Sequence, residues 1–245
     1  MQRSTPDGDA PSLLGVDLTL AATAAASSSL PTTLPAVLLA HADRSPTRTF
    51  LEIWSPTAGL AQSVSYGGLA DCMIAAALWL RDGIGLTRGE CIALLAPNSI
   101  AYLSFSLGAM CLGATSVNLN WRNPPEVNER LLADLKPRLV VAGHPFRTEA
   151  AAIHSKLGLR IALLEAVCNM DSTRLPFEPP PYAPAEEIKA SVARLQADAG
   201  AAVFFTGGTT GTPKAVPHSH RGLLWFADAC LQTIPEGFAA DVEHA

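Results

Sequence analysis

The sequence predicts an α/β fold, with mostly parallel wound sheets and helices on both faces. Short apolar runs alternate with segments of helical spacing from Ser65 onward, the order that strand–helix–strand units produce. Two of the runs, Cys91–Leu95 and Ala201–Phe205, contain no polar side chain apart from the thiol, as strands covered on both faces do. Apolar residues make up 49% and charged residues 16% of 245 positions. That composition can bury a sizeable core and is not that of a mainly disordered chain.

Residues 1–45 are expected to be a mobile leader. Ala21 to Leu34 is nearly all Ala, Ser, Thr and Leu, and Pro31 and Pro35 interrupt any secretory apolar stretch. Asp7, Asp9 and Asp17 outnumber Arg3, which is unlike an Arg-rich, acid-poor transit peptide. A cytoplasmic location is favoured, with organellar targeting left open. Residues 46–175 are expected to form a first α/β subdomain. Ser65 caps a helix reaching about Leu80, with Leu69, Met73, Ala76, Ala77 and Leu80 at helical spacing and Gly83 and Gly85 as the stop. Cys91 to Trp121 carries no charged residue and is long enough to raise a membrane span. Pro97-Asn98-Ser99, Gly108, Gly113, Asn118 and Asn120 divide it into a strand (Cys91–Leu95), a helix (Ile100–Cys111) and a strand (Thr115–Leu119). No transmembrane span is expected. Pro124-Pro125 opens the next helix and Pro137 ends it. A strand (Arg138–Ala142), a helix (Arg147–Leu157) and a strand (Arg160–Leu164) follow. Pro176, Pro179, Pro180, Pro181 and Pro184 mark a connector over residues 176–190. Glu186 to Leu195 has helical spacing. Residues 191–245 are expected to begin a second subdomain, which includes the strand Ala201–Phe205.

Charge and cysteine usage exclude other classes. Seventeen basic and 22 acidic residues give a formal charge of −5. The basic residues are scattered, so no nucleic-acid partner is expected. The five cysteines are odd in number and widely spaced without a CxxC. They read as buried or free thiols rather than a disulfide framework or zinc site.

The most informative segment follows Ala201–Phe205: Thr206-Gly207-Gly208-Thr209-Thr210-Gly211-Thr212-Pro213-Lys214. Three glycines allow positive φ and close backbone approach. Exposed amides in such a loop form an anion nest, four Thr hydroxyls add donors, and Lys214 adds a compact cation. This is suitable chemistry for a polyphosphate. It is neither a Walker A loop, since Pro213 precedes the lysine and Ala215 follows it, nor a dinucleotide fingerprint. His218 and His220 form an H-x-H pair without a nearby Cys, Asp or Glu, so no metal site is expected there. Ser219 is expected to cap a helix with Leu223, Leu224, Ala227 and Leu231 on its buried face. Trp54, Trp79 and Trp225 read as core or edge aromatics.

Thr206 to Lys214, continuing through Ala215-Val216-Pro217-His218-Ser219-His220, resembles the phosphate-loop signature of the AMP-forming acyl-CoA synthetases, in the adenylate-forming superfamily. The usual form is T-S-G-T-T-G-x-P-K-G-V followed by a Ser-His pair. Gly207 stands where Ser is usual and Ala215 where Gly is usual. Upstream, Gly89-Glu90-Cys91-Ile92-Ala93-Leu94-Leu95-Ala96-Pro97-Asn98-Ser99 resembles the family's G-D-x-V-A-L-L-x-P-N-S strand and turn. Gly108 to Ala114 matches its G-A-x-x-x-G-A helix end, and Asn118 stands where its following strand has Pro.

The resemblance implies that the chain is part of the large N-terminal domain of an adenylate-forming enzyme. It implies ATP with Mg2+, and coenzyme A as co-substrate, with a small-molecule carboxylate as the partner. Thr206, Gly207, Gly208, Thr209, Thr210, Gly211, Thr212, Pro213 and Lys214 are then the phosphate-binding residues. No residue of this chain is assigned as catalytic. The family's adenine and magnesium motif, ribose-binding aspartate and C-terminal lysine have no counterpart in these 245 residues. The chain is therefore expected to be an N-terminal portion, weakly active or inactive by itself and prone to self-association. A non-catalytic ATP- or pyrophosphate-binding remnant and a structural domain with a relic loop stay open at this point.

Overall fold

Leu34–Arg44 forms helix α1, with Pro35 in its first turn. The structure is a computed structural model describing residues 31–55, 59–167, 182–206 and 213–233. Helix α1 corrects part of the expected leader. Leu38 and His41 are buried, and the His41 ring stacks on Tyr66 with centroids 4.9 Å apart. The Ala/Ser/Thr bias that suggested a leader stops short of this amphipathic turn. The strands β1 (Thr49–Ser55) and β2 (Gly59–Ser65) then pair antiparallel as a separate two-stranded sheet. The sequence reading did not anticipate this hairpin.

Ser65 opens α2 (Tyr66–Leu78), its Oγ accepting from the Gly68 N–H at 3.1 Å. The two glycines in this first turn look unfavourable in sequence. Packing explains Gly67, because a Cβ there would meet Pro46 O at 2.9 Å. The helix continues as a π turn over Trp79–Ile84 and stops at Gly85 with φ 72°. Strand β3 (Cys91–Leu95) and helix α3 (Ile100–Cys111) fall on the expected boundaries. Ser99 Oγ accepts from the Tyr102 N–H at 3.0 Å and fixes the start of α3. After β4 (Thr115–Asn118) come α4 (Pro125–Leu135), β5 (Leu139–Ala142), α5 (Arg147–Leu157) and β6 (Ile161–Leu163), then the short α6 (Leu164–Val167).

The expected connector over residues 176–190 is corrected in its second half. Tyr182–Ala193 is helix α7, and Pro184 sits in its first turn, where the missing N–H costs nothing. Strands β7 (Gly200–Thr206) and β8 (Lys214–Ser219) and helix α8 (His220–Thr233) complete the described chain.

Six strands form one sheet in the order β6-β5-β3-β4-β7-β8. All neighbours are parallel except β7 and β8. The sheet therefore runs across the expected boundary between residues 46–175 and 191–245, since β7 pairs with β4. Alternation along the strands feeds two cores. Ile92, Leu94, Leu139 and Val141 pack with α2 and α3 on one face. Ala93, Leu95, Val140 and Ala142 pack with α4 and α5 on the other. Helices α1, α2, α3 and α7 share a further cluster with Ala201 and Ala202. Among the described residues no helix is long and apolar enough to cross a membrane, because the uncharged run is split among β3, α3 and β4. Cys72, Cys91, Cys111 and Cys230 are free thiols; Cys168 lies outside the described residues.

Candidate functional site

The candidate phosphate loop joins β7 to β8 at the C-terminal edge of the parallel strands, where open α/β sheets place their ligands. Thr206 and Lys214 lie directly opposite each other in the antiparallel ladder, and both are exposed. Pro213 is half-buried. Lys214 makes no ion pair among the described residues. Gly207, Gly208, Thr209, Thr210, Gly211 and Thr212 lie outside the described residues. The structure thus brings the first and last of the nine candidate residues together as a cross-strand pair at the ends of β7 and β8.

Ala215 and Asn118, two of the departures from the family pattern, have local explanations. Ala215 pairs with Phe205 within the ladder, an extended position that does not require glycine. Pro217 is tolerated because β8 is an edge strand. Asn118 ends β4 and joins a polar chain at the same sheet edge. Its Oδ1 accepts from Tyr102 OH at 2.8 Å and from Ser116 Oγ at 3.2 Å, and Ser106 Oγ bonds Ser116 Oγ at 2.9 Å. Burial pushes the Tyr102 hydroxyl up to about 12, so it stays a neutral donor at ordinary pH.

The base of the hairpin is pinned. Ser219 Oγ accepts from the Gly222 N–H at 3.1 Å, the expected cap of α8. The amides of His220 and Arg221 donate to Ala199 O and Ala197 O at 3.2 and 2.8 Å. Arg221 also forms a two-pronged bridge to Asp198 at 2.6 and 2.9 Å. His220 is fully buried, and its Nδ1 accepts from the Leu34 N–H at 3.3 Å. Burial lowers its pKa to about 4, so the ring is a neutral acceptor. His218 stays on β8 with its ring edge-on to Phe204 at 5.5 Å. The two histidines of the H-x-H pair therefore occupy different surroundings. Among the described residues no group of three or more His, Cys, Asp or Glu converges as a metal site.

A cavity of about 560 Å³ lies near the same edge, beneath α8. Its walls include Leu103, Leu107, Met110, Phe204 and Leu223, with Tyr102 and Asn118 as polar points. The sequence reading missed it, because no spacing rule connects α1, α3, β7 and α8. Trp121 packs beside Phe146 and under the Arg122 guanidinium, which lies 4.1 Å from the ring centroid. Trp54 and Trp225, read as core or edge aromatics, are 65% and 70% exposed and so do not belong to the core; Trp79 packs edge-on to Phe105.

The model for the AMP-binding enzymes matches residues 38–243, so the chain belongs to the AMP-binding enzyme family. It is 29% identical over 186 residues to 4-coumarate–CoA ligase-like 4 of Oryza sativa subsp. japonica, covering 72% of this chain and 29% of that protein. It is 28% identical over 140 residues to the mitochondrial malonate–CoA ligase of Mus musculus, covering 57% of this chain and 22% of that one. The chain thus spans under a third of the length of these relatives. Among solved structures, the N-terminal domain of FACL13 from Mycobacterium tuberculosis superposes with TM-score 0.57 at 20% identity, covering 77% of this chain and 44% of that one. A benzoate CoA ligase from Burkholderia xenovorans LB400 gives TM-score 0.59 at 21% identity, covering 80% and 36%. At these identities the two structures establish the shared fold.

Proposed function

We propose that these residues form the triphosphate-binding part of an ATP-dependent acid–thiol ligase. In the proposed reaction a carboxylate oxygen attacks the α-phosphorus of ATP. The bond from that phosphorus to the β-phosphate bridge breaks, giving an acyl-adenylate and pyrophosphate. A thiol sulfur, that of coenzyme A, then bonds to the acyl carbon as AMP departs, and the thiol proton is released. Such chemistry depends on positioning and charge stabilisation more than on a protein nucleophile. The loop from Thr206 to Lys214 holds the β- and γ-phosphates, and Lys214 offsets charge on the departing pyrophosphate. Magnesium, a hard cation that takes oxygen ligands and keeps several waters, arrives with ATP. Thr206 offers the described side-chain oxygen at the end of β7.

The observation that carries this reading is the facing pair Thr206 and Lys214 at the C-terminal edge of the parallel sheet, in a chain of the AMP-binding family. Because the chain spans 29% of a relative's length, binding rather than turnover is proposed for these residues alone. Calorimetry of the 245-residue chain with MgATP tests it. Saturable heat, displaced by pyrophosphate and weakened about tenfold or more by Lys214→Ala, is expected, since one charge-assisted phosphate contact has about that worth. Binding unaffected by Lys214→Ala would reject the loop assignment. Carboxylate-dependent ATP–pyrophosphate exchange by this chain would overturn the proposal that it binds without turnover.

A further inference from the structure

The opposite edge of the six-stranded sheet carries a second concentration of charge. The strand starts of β3, β5 and β6 surround an open cleft of about 590 Å³. Lys136, Arg138 and Arg160 line it against a single carboxylate, Glu90. Three cations and one acid leave a local excess of two positive charges on a chain whose formal charge is −5. Sequence composition hid this, because the three residues belong to two different loops.

The groups differ in how they are held. The Arg160 guanidinium donates to the Ile84 and Gly83 carbonyls, each at 3.2 Å. Neutral partners thus fix its position without offsetting its charge. Arg138 Nε lies 3.9 Å from Glu90 Oε1, while Glu90 Oε2 accepts from Thr87 N and Oγ1 at 2.7 and 2.9 Å. Lys136 enters no ion pair among the described residues.

Backbone conformation singles out Lys136 independently. It caps the C-terminus of α4 with φ 45° and is the one non-glycine residue at positive φ among the described residues. That position favours glycine. Across the same cleft, the equivalent cap of α5 is Gly158, with φ 67°. A lysine kept where glycine would be relaxed points to a use for its ammonium group. The amides of Lys136, Arg138 and Gly158 already donate to Leu132 O, Cys91 O and His154 O, so at these positions the side chains are what an anion would meet. Two guanidinium forks and one ammonium suit the dense charge and paired oxygens of phosphate groups.

We propose that this cleft is a second anion site, separate from the phosphate loop, and that it takes a small polyphosphate anion. The proposal does not rest on the activity proposed above. The test titrates the isotope-labelled full chain with inorganic pyrophosphate at low salt and follows the amide resonances of Gly89, Lys136 and Gly158. Saturable shifts at all three are expected, weakening with added salt as screening requires. The double variant Lys136→Gly/Arg138→Gln should weaken them about tenfold or more, and Lys214→Ala should leave them unchanged. Lys136→Gly alone should lower affinity several-fold while Tm stays level or rises, separating the charge from the fold. Glu90→Gln, which keeps an acceptor for Thr87, should tighten binding. The proposal is overturned if no saturable shift occurs at these amides, if the shifts ignore the double variant, or if Lys136→Gly binds as tightly as the parent.

Discussion

His220 shows how one side chain couples distant parts of the chain. It begins α8 at the base of the β7–β8 hairpin, the end away from the candidate loop, and its ring accepts from Leu34, 186 residues away in sequence. Burial holds its pKa near 4 against an ordinary 6.5. Below pH 6.5 the unfolded chain takes up a proton that the folded chain refuses. Its contribution to stability is therefore intact above the unfolded pKa and declines as pH falls from 6.5 toward 4, by on the order of 3 kcal/mol over the window. Urea unfolding at a series of pH values should show this loss, and His220→Gln should flatten it. An unchanged slope in the variant would assign the acid sensitivity elsewhere. The H-x-H spacing was visible in sequence, but the burial that distinguishes His220 from His218 was not. The same holds for Asn118, an apparent departure from a motif until Tyr102 and Ser116 are seen to bond it.

At the scale of elements, local chemistry was highly legible. Ser65 caps where expected, Pro97-Asn98-Ser99 leads into a helix as expected, and Cys91–Leu95, Ile100–Cys111 and Arg147–Leu157 keep their boundaries, because caps and glycine or proline stops act within one turn. Ser99→Ala should cost about 1 kcal/mol of stability by chemical denaturation. Contacts between elements were not legible. A Cβ on Gly108 of α3 would come 2.9 Å from the Ala77 backbone nitrogen of α2. Gly108→Ala should therefore destabilise by about 1–3 kcal/mol, despite alanine's better helix propensity, because the helices must separate. A stabilised variant would mean that the pair can slide at no cost. The missed helix α1 and the missed β1–β2 hairpin have a related cause: their stability comes from the core they cover rather than from strong propensity.

For the whole molecule, the distribution of apolar surface sets solution behaviour. Trp225 and Phe226 on α8 are 70% and 63% exposed, and Phe204 on β7 is 44% exposed. They stand near β8, which has a free edge in the described sheet. Exposed aromatics beside an open strand edge favour association. Sedimentation should show self-association that rises with concentration and is reduced by Trp225→Ser/Phe226→Ser. A monodisperse monomer across the concentration range, with or without the substitutions, would contradict this.

The sequence by itself determined the fold class, most strand and helix boundaries, and the candidacy of Thr206 to Lys214, because periodicity, capping and loop composition are local signals. Tertiary structure decided which groups share a place. It set Thr206 against Lys214, buried His220 against Leu34, assembled the apolar cavity under α8, and gathered Lys136, Arg138 and Arg160 at the far edge of the sheet. Those neighbourhoods arise from strand order and helix packing, which depend on contacts between residues far apart in the chain, and no local pattern encodes them.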